Sequence, residues 1–318
     1  MTDLCGNNWS STLRIAVLIP CHNEELTVGK VVSSFRRSLP ESHIYVYDNN
    51  STDKTALVAE AAGAIVRQEE LQGKGHVIRR MFSDIEADIY VLVDGDDTYD
   101  AGSAPPMIRM LLTRHYDMVT ATRVSTVGDA CYRFGHRFVN RLFSGIVAWI
   151  FGDRILDMLS GFRVFTRRFV KSFPALSLGF ETETEFTVHA LELNLPVGQI
   201  DSPYRARPEG SHSKLNTYSD GFRILFSIFE LIKEERPLQF FSLIAAILFL
   251  IAVILIVPII LEFDHTGLVR RFPTAILCTG IMLLSSLSFF CGLILESIAS
   301  VRKEAKRIAY LSFRPPFD

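Results

Sequence analysis

Short apolar runs alternate with amphipathic stretches over the first 125 residues of this 318-residue chain. Strands separated by helices predict βαβ units, and so an α/β fold with a mostly parallel sheet. Five runs have the length and residue content of strands: LRIAVLIP (13–20), HIYVYD (43–48), AIVR (64–67), DIYVLVD (88–94) and DMVTAT (117–122). Three intervening stretches have helical spacing: EELTVGKVVSSFRRS, DKTALVAEAA and KGHVIRRMFSDI.

Two long apolar segments dominate the end of the chain. LQFFSLIAAILFLIAVILIVPIIL (238–261) carries no charge, and PTAILCTGIMLLSSLSFFCGLILESI (273–298) carries one acid, Glu296. Each is long enough to span a hydrocarbon core. We therefore predict a two-helix transmembrane hairpin over 237–298; the alternative is a buried helical pair in a soluble protein.

The hairpin predicts the rest of the domain organisation. A globular domain is expected over 1–216, an amphipathic juxtamembrane helix over 217–236 and a basic tail over 299–318. Basic residues flank the hairpin on both outer sides, which favours both ends in the cytoplasm at the inner membrane. Arg270 and Arg271 in the short loop oppose this orientation, whereas the large domain without an export signal supports it.

Two further stretches have aromatic and basic faces. CYRFGHRFVNRLFSGIVAWIFG (131–152) and YSDGFRILFSIFELIKEER (218–236) are predicted to be helices. Each of these two helices is expected either to lie in the lipid headgroup layer or to pack on the sheet.

Composition excludes several classes of protein. The formal net charge is −2, so a globally basic nucleic-acid binder is excluded. The five cysteines form no CxxC pair, which argues against a disulfide framework or a zinc site.

Polar motifs follow three of the predicted strands. PCHNE, DNNST and DGDD all fall at strand ends, so they should line one crevice at the carboxyl edge of the sheet. The stretch VLVDGDDTYD places four carboxylates together, at Asp94, Asp96, Asp97 and Asp100. Like charges repel at that spacing, so the stretch indicates either a bound cation or a well-solvated loop.

The order of the motifs resembles family 2 glycosyltransferases of the GT-A fold, over roughly residues 14–235. The similarity is greatest to the polyprenyl-phosphate branch, which includes dolichol-phosphate mannose synthases and bactoprenol glucosyltransferases. It rests on IPCHNE, YDNNSTDKT, QGKGHVIRR, DGDDTYD, DMLSGFRVF and RPEGSHSKLNTYSDG. The resemblance implies inverting transfer of a hexose from a nucleotide sugar to polyprenyl phosphate at the membrane, with Mg²⁺ or Mn²⁺ as cofactor. A homo-oligomer is also expected.

The resemblance assigns roles on the donor side. It places Glu24 on the nucleotide, Asp48 on the nucleoside base, and Asp94 with Asp96 on the metal, with Asp96 the direct ligand and a catalytic residue. Thr98 stands where dolichol-phosphate mannose synthases often have Gln, so a third protein ligand is not defined. The remaining candidates for nucleotide-sugar binding are Pro20, Lys74, Arg207 and Lys214.

Asp157 in DMLSGFRVF matches the position of the family's catalytic Asp. A lipid phosphate has a second pKa of about 6, so it is mostly a dianion already and hardly needs a strong base. We therefore expect Asp157 to orient the acceptor or take a residual proton; the alternative is a turn Asp before a strand. The candidates for binding the acceptor phosphate are Arg123, Arg133, Arg163, Arg205 and Ser213.

Several acidic residues are predicted to have structural roles. Asp53 is expected to cap the helix that follows it. Asp97 and Asp100 are expected to be solvated, and the acids of GFETETEF (Glu181, Glu183 and Glu185) to begin a helix at the domain edge.

Three other functions are compatible with parts of the sequence. The donor is expected to be UDP-glucose, with GDP-mannose as the alternative. A processive polysaccharide synthase would need a QxxRW motif, which the chain lacks, and more than two spans. The last alternative is a membrane-tethered nucleotide-sugar binding protein without activity. The presence of Asp48, Asp94, Asp96 and Asp157 argues against it, because binding alone does not require this set.

Overall fold

The computed structural model describes residues 13–125, 157–176, 182–205, 233 and 235–317. Within these residues a seven-stranded sheet has the order β3-β2-β1-β4-β6-β5-β7. Its strands are β1 (Ile15–Cys21), β2 (His43–Asp48), β3 (Ile65–Gln68), β4 (Ile89–Leu92), β5 (Met118–Ser125), β6 (Arg163–Thr166) and β7 (Val197–Tyr204). The α-helices are α1 (Val28–Ser38), α2 (Thr55–Ala61), α3 (Lys74–Asp84), α4 (Ala104–Thr113), α5 (Arg167–Ser172), α6 (Thr182–Glu192), α7 (Pro237–Thr266) and α8 (Phe272–Leu311).

The directions of the strands decide which loops meet. β3, β2, β1 and β4 are parallel, and β5 pairs in parallel with β7. β6 lies antiparallel between β4 and β5, so these two neighbours point the same way. The carboxyl ends of six strands therefore share one edge of the sheet with the amino end of β6. The predicted α/β fold with a mostly parallel sheet is confirmed.

Successive side chains of β1 pack alternately into two hydrophobic cores. Val17 and Ile19 pack in one core with helices α1 and α4, whereas Ala16 and Leu18 pack in the other with α3, α5 and α6. β1 is thus buried on both faces, as expected for a central strand under helical layers. Both cores lie between the sheet and its helices, so the loops at the carboxyl edge remain available for function.

The first strand was predicted to end at Pro20, but β1 continues to Cys21. β1 pairs with β4 only as far as Leu18, while its pairing with β2 continues to Cys21. The carbonyl of Cys21 accepts from Asn49 on the β2 side, so Pro20 faces the β4 side, where the ladder has ended. The missing N–H of proline therefore costs no ladder hydrogen bond there.

Asp53 holds the start of α2, as predicted. Its Oδ1 accepts the backbone N–H of Thr55 at 2.9 Å, and its Oδ2 accepts that of Glu25 at 3.2 Å. Burial raises the pKa of Asp53, but the hydrogen bonds it accepts from Thr55 and from backbone amides outweigh burial and leave the pKa lowered.

The chain divides into two compact units, and residues 222–304 form the second one. It contains α7 and most of α8, which are long and apolar enough to cross a membrane by length and composition. Ser285 donates to the carbonyl of Ala245 at 2.8 Å, and a Cβ at Gly292 would lie 3.0 Å from that of Phe241. The two helices therefore pack closely along small residues.

The first unit takes residues 1–221 together with 305–318. The segment predicted as a basic tail is helical up to Leu311, and its last part belongs to this globular unit. The predicted helix 131–152 and all of 218–236 except residues 233, 235 and 236 lie outside the described residues.

Candidate active site

The loops after β1 and β2 are joined to each other. The backbone N–H of Asn49 donates to the carbonyl of Cys21 at 2.9 Å, and His22 Nδ1 lies 2.8 Å from the carbonyl oxygen of Asn49. Glu24 donates its backbone N–H to Thr55 Oγ1 at 2.8 Å and accepts from Thr27 through its carboxylate. The predicted crevice-lining motifs at these two strand ends are thus held side by side.

Asp48 ends β2 with one carboxylate oxygen unsatisfied. The residue is 5 % exposed, and Oδ1 is buried without a hydrogen-bond partner. Oδ2 accepts only a long contact of 3.4 Å from the N–H of Ser51. A buried acceptor without a donor is costly, so Asp48 is poised for an N–H or O–H of a ligand.

Asn49 shapes the glycine-rich turn, a role the sequence analysis missed. Its Nδ2 donates to the carbonyls of Glu69 and Leu71, and its Oδ1 accepts the N–H of Gly73, each at 2.8 Å. Gly73 has φ +134°, which favours glycine. A buried amide directly after a strand was the available signal. The hydrogen bonds of Asn49 fix the start of α3, and therefore the position of Lys74.

Lys74 links two carboxylates. Its Nζ lies 2.6 Å from Asp94 Oδ1 and also contacts Glu183 Oε1. Burial alone would lower the pKa of Lys74, but the charges of Asp94 and Glu183 reverse this and raise it well above its ordinary value. The prediction that Glu183 faces the domain edge is wrong, because this residue is 4 % exposed and contacts the site.

Two glycines make room for residues 94–96 after β4, here called the DGD loop. A Cβ at Gly161 would lie 2.2 Å from Asp94 Oδ2, and one at Gly95 would lie 2.6 Å from Cys21 Sγ. The SGF motif and the loop after β4 therefore meet at a distance that only glycine permits.

Asp96 is oriented by the residue that departs from the family pattern. Thr98 donates its hydroxyl to Asp96 Oδ1 at 2.6 Å and its backbone N–H to the same oxygen at 3.2 Å. Thr98 is 1 % exposed, so it positions Asp96 from within the protein. The neighbouring Asp97 is buried and paired with Lys30, so the prediction that it is solvated is wrong.

The donor set fits a divalent cation held jointly with a ligand. Among the described residues, no group of three or more His, Cys, Asp or Glu side chains is placed to hold a metal by itself. Asp94 and Asp96 supply hard carboxylate oxygens from one loop. Mg²⁺ is typically bound by one or two carboxylates together with substrate phosphates and water, which is the arrangement these two residues allow.

Arg123 and Asp157, predicted separately, bind each other. Arg123 donates Nε and Nη2 to the two carboxylate oxygens of Asp157, each at 2.7 Å. The guanidinium also lies 5.6 Å from the ring centroid of Tyr204. Arg123 lies near the carboxyl end of β5, and Asp157 precedes the amino end of β6, so both belong to the same edge as the DGD loop.

The other predicted acceptor residues differ in their placement. Arg163 is 0 % exposed and donates to the carbonyls of Ser160 and Met158, so its burial disagrees with the predicted contact to acceptor phosphate. Arg205 donates its backbone N–H to the carbonyl of Thr98 at 2.9 Å and pairs with Asp100 at 3.3 Å. Arg133, Arg207, Ser213 and Lys214 lie outside the described residues.

The sequence of the chain is also similar to those of known proteins. Residues 16–172 match the profile of Glycosyl transferase family 2. The chain is 34% identical over 233 residues to Glycosyltransferase AglJ of Haloferax volcanii, covering 72% of this chain and 75% of AglJ. It is 25% identical over 222 residues to a Dolichyl-phosphate hexose transferase of the same organism, covering 70% of this chain and 95% of that protein.

A solved structure has a similar fold. Glucosyl-3-phosphoglycerate synthase from Mycobacterium tuberculosis, in complex with Mn²⁺, UDP-glucose and phosphoglyceric acid, matches with a TM-score of 0.58 at 21% identity. The match covers 74% of this chain and 84% of that one. Together with the ordered motifs and the paired strand-end loops, these relatives identify the chain as a member of glycosyltransferase family 2, whose enzymes transfer sugars from nucleotide donors.

Proposed function

We propose that this protein transfers a hexose from a nucleotide sugar to polyprenyl phosphate at the cytoplasmic face of the inner membrane. The observation that carries the proposal is the Arg123–Asp157 pair, which lies at the same edge of the sheet as Asp94 and Asp96. Asp157 holds Arg123 through Nε and Nη2, and Nη1 takes no part in this pair, so the guanidinium is suited to bind an anionic acceptor while Asp157 orients it. UDP-glucose is the proposed donor, and GDP-mannose is the alternative.

Two aromatic residues connect the two halves of this site. Burial raises the pKa of Tyr204, and the charges of Asp96 and Arg123 both act on this phenol. Tyr99 accepts the N–H of Gly161 at 2.9 Å, and the charges of Arg123 and Asp94 both act on it. The proposed donor and acceptor groups therefore lie within electrostatic reach of the same two side chains.

The proposed chemistry is a single in-line displacement. A phosphate oxygen of the acceptor forms a bond to the anomeric carbon, and the bond from that carbon to the diphosphate oxygen breaks. Asp94 and Asp96 would hold Mg²⁺ or Mn²⁺, which when bound neutralises charge on the departing nucleoside diphosphate. Lys74 adds positive charge on the same side, and Arg123 binds and orients the acceptor phosphate. Asp157 in turn holds Arg123 and orients the acceptor through it.

Two features support the lipid acceptor. One is the hairpin of α7 and α8, which is apolar enough to place the chain in a membrane. The other is the Dolichyl-phosphate hexose transferase that the chain resembles over 70% of its length. We propose two spans with the globular unit in the cytoplasm, and a homo-oligomer.

The test is a radiolabelled donor screen with purified protein and undecaprenyl phosphate. We expect labelled lipid from UDP-glucose, extractable into organic solvent, and no labelled lipid without a divalent cation. Labelled product from GDP-mannose alone would correct the donor. Release of free sugar without labelled lipid, from either donor, would overturn the proposed acceptor.

Asp96→Ala should abolish transfer while the protein still folds. The variant removes the carboxylate that Thr98 orients, and losses of about a hundredfold or more are typical when one electrostatic contact of this kind is removed. Asp88→Ala, at the opposite end of β4, is the matched control and should retain activity. Metal-stimulated transfer by Asp96→Ala would remove Asp96 from the metal site.

A further inference from the structure

Glu183 occupies a position in the site that its motif did not predict. It lies in the first turn of α6, is 4 % exposed, and accepts from Lys74 Nζ through Oε1. Its second oxygen, Oε2, is buried without a hydrogen-bond partner. A carboxylate in this setting is more than a solvated helix start, since it contacts the ammonium of Lys74 directly and its charge also acts on the buried guanidinium of Arg163.

The ion pairs leave this cluster with excess negative charge. Lys74 contributes one positive charge, whereas Asp94 and Glu183 contribute one negative charge each, so the three residues sum to −1. Asp94 also belongs to the loop that would hold a divalent cation. A cation bound by Asp94 repels the ammonium of Lys74, so the contact at 2.6 Å between Lys74 and Asp94 competes with metal binding.

We propose that Glu183 is a positioning residue that holds Lys74 when a divalent cation takes Asp94. When the metal displaces Lys74 from Asp94, the carboxylate of Glu183 still balances the charge of the buried ammonium. It then remains at the start of α3, where its ammonium can contact the diphosphate of the donor. This inference rests on the donor half of the proposed function and is independent of the lipid acceptor.

The proposal predicts an effect that depends on metal. Without metal, Asp94 still holds Lys74, so removing the charge of Glu183 should change nucleotide affinity little. With metal, the loss of one charge-assisted contact should weaken nucleotide binding about tenfold or more. A purely structural ion pair would change stability and would affect both conditions equally.

The experiment is calorimetry of UDP binding to the full-length protein, with and without Mn²⁺, and repeated with GDP. Glu183→Gln should bind UDP about tenfold more weakly than wild type in Mn²⁺, and within about twofold of it without metal. Glu185→Gln, in the same helical turn, is the matched control and should bind UDP like the wild type. Equal affinities of Glu183→Gln and wild type in Mn²⁺ would overturn the proposal.

A double variant tests whether Glu183 acts through Lys74. Lys74→Met combined with Glu183→Gln should bind UDP in Mn²⁺ no more weakly than Lys74→Met alone, because the contact is already lost. This pair removes both charges, so it also serves if Glu183→Gln does not fold. A further loss of affinity in the double variant would show that Glu183 acts on another group. Failure of lipid labelling with these affinities intact would contradict only the proposed acceptor.

Discussion

Asp96 has a fixed orientation because Thr98 donates to one of its oxygens twice. Neither of these two hydrogen bonds involves the other carboxylate oxygen of Asp96, Oδ2. We therefore propose that Thr98 replaces a third metal-binding side chain at this position, by holding the carboxylate of Asp96 rather than by binding the ion.

Thr98→Val should weaken metal-dependent UDP binding about tenfold or more, since hydrogen bonds to charged groups contribute about 1.5–3 kcal/mol. Valine keeps the shape and removes the hydroxyl that lies 2.6 Å from Asp96 Oδ1. The measurement is calorimetry in Mn²⁺. Thr98→Ser keeps the hydroxyl and should bind like wild type, and wild-type affinity in Thr98→Val would show that the contact is dispensable.

Arg123→Lys should raise the KM for a short-chain prenyl phosphate, about tenfold or more, while leaving the KM for the donor nearly unchanged. Lysine keeps the charge but loses the planar fork that now binds both oxygens of Asp157 at 2.7 Å. The measurement is steady-state kinetics in detergent, with Arg114→Lys on the exposed end of α4 as control. A wild-type acceptor KM would exclude Arg123 from phosphate binding.

Residues at strand ends were predictable, whereas their distant partners were not. Asp48, Asp94 and Asp96 follow apolar runs, so a parallel sheet places them at one edge. Glu183 contacts Lys74 across 109 positions of sequence, and nothing in GFETETEF indicates that pairing. The burial of Arg163 was unpredictable for the same reason, because it depends on β4 and β5 flanking β6 and on Thr187 of α6 contacting the guanidinium.

The direction of β6 decides which residues meet in the site. Because it runs antiparallel between β4 and β5, its amino end lies at the edge where its neighbours end. That direction brings Gly161 against Asp94 and Asp157 against Arg123. The local pattern of RVFT is consistent with a strand but carries no information on direction or neighbours, so this part of the topology could not be predicted.

Helix α6 buries a titratable group that should make stability depend on pH. Burial, with a smaller effect from the charge of Lys306, lowers the pKa of His189 to about 3. His189 Nε2 lies 3.0 Å from Ser172 Oγ, and Nδ1 is buried without a partner. The unfolded chain binds a proton near pH 6.5, so stability is fully present above that pH and is lost as pH falls towards 3.

We expect this histidine alone to cost about 2 kcal/mol of stability between pH 7 and pH 5, since each pH unit below 6.5 contributes about 1.4 kcal/mol. The measurement is the thermal midpoint of wild type and His189→Gln at both pH values. The variant cannot take up the proton, so its midpoint should fall less on acidification. An equal fall in both proteins would refute the assignment.

At the scale of the whole molecule, the end of the chain completes the globular unit. Residues 305–317, here called the C-terminal strap, contact side chains of the first unit. Tyr310 donates its hydroxyl to Asp117 Oδ2 at 2.8 Å, and Lys306 pairs with Glu192 at 2.5 Å. Asp117 is fully buried and also accepts two bonds from Arg168, so the strap supplies part of a buried polar network.

Tyr310→Phe should lower the thermal midpoint of the globular unit by several degrees. It removes one hydrogen bond to a buried carboxylate, about 1.5–3 kcal/mol, and each kcal/mol shifts the midpoint by about 2–4 °C in a unit of this size. Tyr116→Phe, whose ring packs against Gly198, is the control and should melt near wild type. Differential scanning fluorimetry gives both values, and equal midpoints would show that the strap does not stabilise the unit.

The strap also sets the order of events while the protein is being made. Domains usually fold as they leave the ribosome, amino-terminal parts first. Asp117 and Glu192 are synthesised early, but Tyr310 and Lys306 follow both apolar helices, α7 and α8. The contacts of Tyr310 with Asp117 and of Lys306 with Glu192 can therefore form only after both apolar helices have been synthesised, so the globular unit gains these contacts last.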